Sequence, residues 1–188
     1  MDLYLIRHTR PQVEAGVCYG RLDVPLPPGG AEERNAVAAR MPQVDAVWTS
    51  PLARCRMLAD AIGTHTGVTP REDARLRELA FGAWEGRRWD SLDRTETDRW
   101  AADYWNLAPP AGESYRELHE RAVTALTEIM SCSAQRIAIV THAGPIRAQL
   151  AHCLELEPSH YPGIALHYGG ISLLRSDGNG WRLEYLNG

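Results

Sequence analysis

The run Leu3-Tyr4-Leu5-Ile6, followed directly by Arg7-His8-Thr9-Arg10-Pro11, constrains this chain more than any other stretch. Four consecutive apolar residues without polar alternation predict a strand buried on both faces, the situation of a sheet covered by helices on each side. Pro11 cannot donate to a strand ladder and biases Arg10 away from helix, so the strand ends before it. Arg7 and His8 therefore fall where a central strand gives way to a loop, the edge at which open α/β sheets bind ligands. The same grammar recurs once. Arg136-Ile137-Ala138-Ile139-Val140 discharges into Thr141-His142-Ala143-Gly144-Pro145. If both strands lie in one parallel sheet, two imidazoles emerge at one edge. Either histidine alone reads more readily as a hydrogen-bonded loop residue; their repetition in one context favours a site. His65, His119, His152, His160 and His167 lack that context.

The intervening sequence alternates helix and strand patterns. Residues 11–30 are rich in proline and glycine and read as loop, and Ala31 to Met41 is alanine-rich and helix-prone. Asp45–Trp48 predicts a short strand. Ser50 and Pro51 then suit the N-cap and first position of a helix carrying Leu52, Cys55, Ala59 and Ile62 at helical spacing. A short strand is expected near Val68-Thr69, a loop with a short helix over Leu76–Gly86, and a tryptophan-bearing helix over 91–106. Ser114 followed by Glu117 fits a capping box, and Tyr115, Leu118, Ala122, Leu126 and Ile129 form one apolar stripe behind it. Pro145 suits a first helical position, with Ile146, Leu150 and Leu154 following. The tail, Ala165 to Leu186, predicts two or three strands with a turn at 176–180. This alternation predicts a three-layer αβα sandwich with a mostly parallel central sheet, and the 188 residues suit a single domain, 1–188.

Composition narrows the chemistry. No lysine occurs, so all 20 basic residues are arginine. Schiff-base chemistry and the phosphate-binding lysine of P-loop enzymes are thereby excluded, and any anion site must be built from guanidinium, imidazole and backbone N–H groups. A net charge of −4 supports neither a nucleic-acid nor a membrane partner. Cys18, Cys55, Cys132 and Cys153 are scattered without a CxxC pair or zinc spacing, which predicts free thiols in a reducing cytoplasm. No HExxH motif is present, and no metal is expected. Arg54 falls in the first turn of the helix that follows Ser50, where a cation is slightly unfavourable unless an anion lies nearby; an arginine reaching to solvent is the alternative. Arg56 points to another face.

Five motifs, L-I-R-H-T (5–9), S-P-L-A-R-C-R (50–56), L-R-E-L-A-F-G-A-W-E-G (76–86), G-E-S (112–114) and V-T-H-A-G (140–144), together resemble the histidine phosphatase superfamily, which also contains the cofactor-dependent phosphoglycerate mutases. C-Y-G-R-L-D-V-P-L (18–26) is similar to the alpha-ribazole phosphatase branch of cobalamin synthesis. The resemblance implies a phosphoglycerate mutase-like fold and a metal-independent phosphomonoesterase without a cofactor. It makes His8 the nucleophile that accepts phosphate, Arg7, Arg54 and His142 the phosphate pocket, and Glu78 the proton donor. From the residues alone, Glu78 reads as a solvated neighbour of Arg77, and only the motif promotes it. The chain departs from the commonest R-H-G-E-T-x-x-N pattern at Thr9 and at Val13-Glu14. A neutral imidazole ringed by cations suits in-line attack on a phosphomonoester dianion, and nearby arginines favour its neutral form. The expected partner is a small-molecule phosphomonoester, with no nucleic acid and no membrane, and a homodimer is left open. A phosphoglycerate mutase and a catalytically silent phosphate-binding protein are the alternative readings. Trp84, Trp89, Trp100, Tyr104 and Trp105 either cover a substrate or pack the core.

Overall fold

The computed structural model describes residues 1–188, the side chain of Ser159 excepted. Six strands, β1 (Asp2–Arg7), β2 (Ala46–Thr49), β3 (Arg71–Glu72), β4 (Arg136–Thr141), β5 (Ile171–Ser176) and β6 (Trp181–Tyr185), form one sheet in the order β3-β2-β4-β1-β5-β6. The first four in that order are mutually parallel, and β5 and β6 are antiparallel additions. The helices are α1 (Gly30–Ala39), α2 (Ala53–Thr66), α3 (Arg94–Ala102), α4 (Tyr115–Met130) and α5 (Ala143–Cys153). Short 3-10 turns at Ala74–Leu76, Gly82–Trp84, Trp89–Ser91 and Pro158–Gly163 complete the chain.

The unbroken apolar run of β1 serves both faces at once. Leu3 and Leu5 join the core under α4 and α5, whereas Tyr4 and Ile6 join the core under α1 and α2. This is the period-two division of a doubly covered strand. Leu3, Leu5 and Ile6 are fully buried, each worth about 1.5–3 kcal/mol relative to exposure. The predicted αβα sandwich is thus the observed architecture.

Two features of topology place the site. Adjacent β1 and β4 run parallel with Arg7 opposite Thr141, so the residues that follow, His8 and His142, leave the sheet side by side. The helices reached after these two strands, α1 and α5, pack on opposite faces, which opens a crevice at the strands' carboxyl ends. Because β5 is antiparallel to β1, with Ile6 opposite Ile171, the segment entering β5 crosses that same edge.

Several element boundaries differ from the sequence reading. The strand expected at Val68-Thr69 lies at Arg71–Glu72, beside Trp48 and Thr49 of β2. The tryptophan-bearing helix covers only Arg94–Ala102 and is capped by Asp93, whose carboxylate accepts from the Glu96 N–H. Helix α2 starts at Ala53, with Leu52 at the N-cap, not at Pro51. The Ala53 N–H is instead met by Asp23 Oδ1 at 3.0 Å, from the proline-rich loop. Pro145 is the third residue of α5, and His142 is its N-cap.

The capping box at Ser114 is present: its Oγ accepts from the Glu117 N–H, and Glu117 accepts from the Ser114 N–H at 2.7 Å. Every residue of the predicted stripe, Tyr115, Leu118, Ala122, Leu126 and Ile129, is buried. Ser114→Ala is expected to destabilise the protein by about 1–2 kcal/mol, measured as a lower urea midpoint with an unchanged slope; an unchanged midpoint would contradict the role of this cap.

Candidate active site

Strand geometry carries His8 and His142 into contact. Their ring centroids lie 5.1 Å apart in an edge-to-face arrangement, and they are 1% and 0% exposed. His8 Nδ1 lies 2.7 Å from the Thr9 carbonyl. A carbonyl oxygen only accepts, so Nδ1 holds the hydrogen and the neutral ring presents its lone pair at Nε2. Thr9, which departs from the commonest motif, thereby orients the imidazole through its backbone. His142 Nε2 lies 2.8 Å from Ser50 Oγ, and Cys55 Sγ packs 3.4 Å from the same nitrogen. Ser50 therefore anchors the second histidine, and the serine hydroxyl expected to cap α2 is engaged there.

Two guanidinium groups close the pocket. Arg54, 0% exposed, donates to the carbonyls of Leu22 at 2.9 Å and Gly20 at 2.6 Å. Arg7 donates to the Leu166 carbonyl at 2.6 Å and stacks 3.8 Å over the Tyr168 ring. The Nε of each is buried without a partner, and among the described residues neither arginine forms an ion pair. Two cations with no counter-charge, beside two imidazoles, make a site for a multiply charged anion.

Burial, followed by the charges of Arg54 and Arg7, holds His8 well below the ordinary imidazole range. His142 is lowered by burial first, then by His8 and the arginines. Burial pushes the Cys55 thiol upward, so it stays protonated beside His142.

Glu78 reaches the same crevice from the loop after the Ala74–Leu76 turn. Its Oε1 accepts from the N–H groups of Leu79 at 3.0 Å and Gly144 at 3.1 Å, the latter in the first turn of α5. A side chain on Gly144 would collide with Glu78 Oε1 and press on Leu118, so glycine is the residue that leaves the carboxylate room. The backbone of this loop is gathered by Arg121 of α4. Its guanidinium donates to the carbonyls of Arg75, Arg77 and Glu78 at 2.5, 2.7 and 3.0 Å, while Glu113 pairs with it at 2.6 Å. Arg21 joins the same Glu113 at 2.8 Å.

The structure thus brings Arg7, His8, Arg54, Glu78 and His142 to one crevice. The sequence reading missed Tyr168, whose ring lies 5.5 Å from that of His8 and whose hydroxyl meets the Tyr19 hydroxyl at 2.7 Å. Ser50, Arg121 and Glu85 were also missed. Glu85 accepts from the N–H groups of Arg21, Leu22 and Phe81 and ties two loops together. A detectable signal existed for Arg121, a charge interrupting the apolar stripe three residues after Leu118. None existed for Glu85. Arg56 pairs only with exposed Glu72, at 3.9 Å. His119 meets the Tyr161 hydroxyl, and His65 the Met41 carbonyl. Among the described residues no group of three or more His, Cys, Asp or Glu side chains is placed to hold a metal ion, and no helix is long and apolar enough to cross a membrane.

Residues 3–188 match the histidine phosphatase superfamily (branch 1). A Hydrogenobacter thermophilus protein provisionally named phosphoserine phosphatase 2 is 29% identical, over 98% of this chain and 94% of its own. A Klebsiella pneumoniae protein provisionally named phosphoglycerate mutase GpmB is 35% identical over 76% of this chain and 69% of its own. The structure of an alpha-ribazole phosphatase from Shigella flexneri shares the fold, with a TM-score of 0.90 and 24% identity over 100% of this chain and 96% of that one. The chain belongs to the histidine phosphatase superfamily.

Two measurements test this geometry. Gly144→Ala displaces the Glu78 carboxylate and presses on buried Leu118, so Tm is expected to fall modestly and phosphatase kcat by about 10²-fold; unchanged kcat in a folded variant would contradict the close approach. The second concerns acid. The unfolded chain binds protons at its histidines near pH 6.5, whereas native His8 and His142 resist them; half-buried His119 acts in the same direction. Their contribution to stability is therefore complete above about pH 6.5 and is lost as pH falls below it, by up to about 1.4 kcal/mol per pH unit for each of the two fully buried rings and less for His119. The urea midpoint is expected to drop between pH 7 and 5, less so in His142→Asn; a midpoint that rises with acid would contradict buried neutral imidazoles.

Proposed function

We propose that this chain is a phosphomonoester hydrolase that works through a phosphohistidine at His8, with arginine rather than a metal ion neutralising the phosphate. The observation that carries this reading is the pair of guanidinium groups without counter-ions, Arg54 fully buried and Arg7 half-buried, around an imidazole whose Nδ1–H is held by a carbonyl. The Nε2 lone pair attacks phosphorus, and the ester P–O bond breaks in line with it. Arg7, Arg54 and His142 bind the equatorial oxygens, where charge is concentrated. The carboxyl group of Glu78 gives its proton to the departing alkoxide, a contribution of about 10²–10⁴ in rate. The resulting carboxylate then takes a proton from water as its oxygen attacks phosphorus. The P–N bond breaks, and inorganic phosphate leaves with His8 neutral again.

The finer reading, alpha-ribazole 5'-phosphate as substrate, is supported by the segment from Cys18 to Leu26 and by the fold shared with the Shigella flexneri enzyme. The name of the Klebsiella pneumoniae relative favours a second reading, a mutase using the same phosphoenzyme. Release of inorganic phosphate against formation of phosphoglycerate isomers separates the two.

His8→Ala is expected to abolish phosphate release from 4-nitrophenyl phosphate and to eliminate an acid-labile, alkali-stable phosphoryl label that the unsubstituted enzyme acquires. Full activity in this variant would end the proposal.

A further inference from the structure

A cavity of about 380 Å³ opens beside Glu78 and Gly144, so an alcohol whose oxygen takes its proton from Glu78 would extend into it. A phosphate group needs far less room than this, and the volume falls within the range of small-molecule sites. Its walls are the rings of Phe81, Trp100, Tyr104, Tyr115 and Tyr161. These rings are locked against one another. Tyr104 meets Tyr115 edge-on at 5.5 Å, Tyr115 meets Tyr161 at 5.8 Å, and Trp100 meets Phe81 at 5.8 Å.

The polar ends of the three tyrosines are already engaged. Tyr115 donates to the Gly144 carbonyl at 2.8 Å, Tyr104 donates to the Pro158 carbonyl at 3.0 Å, and the Tyr161 hydroxyl meets His119 Nδ1 at 3.2 Å. What these tyrosines turn toward the cavity is mainly ring carbon; its polar lining residues are Glu78, Arg147 and Trp100, whose Nε1–H is buried without a partner. A polyhydroxylated alcohol would bring more hydroxyls than these few polar groups can pair, at a cost for each one left over. A flat apolar ring loses nothing by entering and gains aromatic contact.

One cation stands in this apolar wall. Arg147 of α5, one turn beyond Gly144, uses its Nε to donate to the Ile164 carbonyl at 2.9 Å. Among the described residues it has no carboxylate partner. Its two terminal nitrogens form the fork that receives a carboxylate or similar anion.

We infer that the cavity selects the alcohol portion of the substrate as an aromatic or heteroaromatic group bearing a second anionic substituent, received by Arg147. This inference rests on the phosphatase reading and competes with its alpha-ribazole version, in which the alcohol is a ribose hydroxyl and carries no second anion. It also ranks small hydroxylated esters, such as phosphoglycerates and sugar phosphates, as poor substrates.

The test uses three esters of primary alcohols, so that leaving-group basicity stays in one class: 4-carboxybenzyl phosphate, benzyl phosphate and glycerol 3-phosphate. Phosphate release is followed for the unsubstituted protein, Arg147→Gln and Arg147→Lys. The expected order of kcat/KM is carboxybenzyl, then benzyl, then glycerol phosphate, with each step about tenfold or more. The carboxybenzyl-to-benzyl ratio is expected to collapse toward one in Arg147→Gln and to recover in part in Arg147→Lys. Because the ratio is taken within each variant, any general damage from losing the Ile164 contact cancels. Glycerol phosphate turned over as well as benzyl phosphate, or a ratio indifferent to Arg147→Gln, would overturn the inference alone. No release from any of the three, nor from 4-nitrophenyl phosphate, would overturn the phosphatase reading with it.

Discussion

The structure depends on the parallel register of β1 and β4, in which Arg7 stands opposite Thr141. A slip of one residue would turn Leu3, Leu5 and their partners to the wrong face of the sheet, and it would also separate the two imidazoles. Packing and chemistry are therefore specified by the same constraint. Leucine and isoleucine side chains distributed between two cores hold the strands in place, and the site is what emerges where those strands end. The helices that leave on opposite faces supply the crevice, so no dedicated scaffold is needed to form it.

Within that crevice electrostatics is arranged by keeping carboxylates off the two arginines. Acidic side chains are abundant in the chain, yet Arg7 and Arg54 bind only main-chain carbonyls. Carbonyl oxygens orient a guanidinium without cancelling its charge, leaving the positive potential for a ligand. The same potential, added to burial, keeps both histidines neutral. Glu78 is an acid brought into this region. It comes on a loop whose main chain is clasped by Arg121, itself neutralised by Glu113. Charges that position the loop are paired, whereas charges that face the crevice are left open.

Much of this was legible in the order of residues. His8 and His142 stood out because apolar strands ran directly into them, and parallel pairing converts that pattern into proximity. Arg54 was visible as a cation at an unfavourable helix end. Glu78 carried no local sign and was identified only through its motif. Ser50 was misread because a serine before proline and a helical period resembles a cap; its hydroxyl is engaged by His142, and Asp23 from a distant loop satisfies the helix N–H instead. Tyr168 was hidden because its relation to His8 depends on the antiparallel entry of β5, which no spacing along the chain reveals. In the aromatic cluster Trp84 is core, whereas Trp100 and Tyr104 pack against the core and also line the cavity beside Glu78.

The central claim is that the carbonyl of Thr9 selects which nitrogen of His8 reacts. Phosphorus–nitrogen NMR correlation on the trapped, ¹⁵N-histidine-labelled phosphoenzyme reads this directly. The account predicts a single phosphoramidate on His8 with phosphorus coupled to Nε2. Phosphate on Nδ1, or on any residue other than His8, would contradict it.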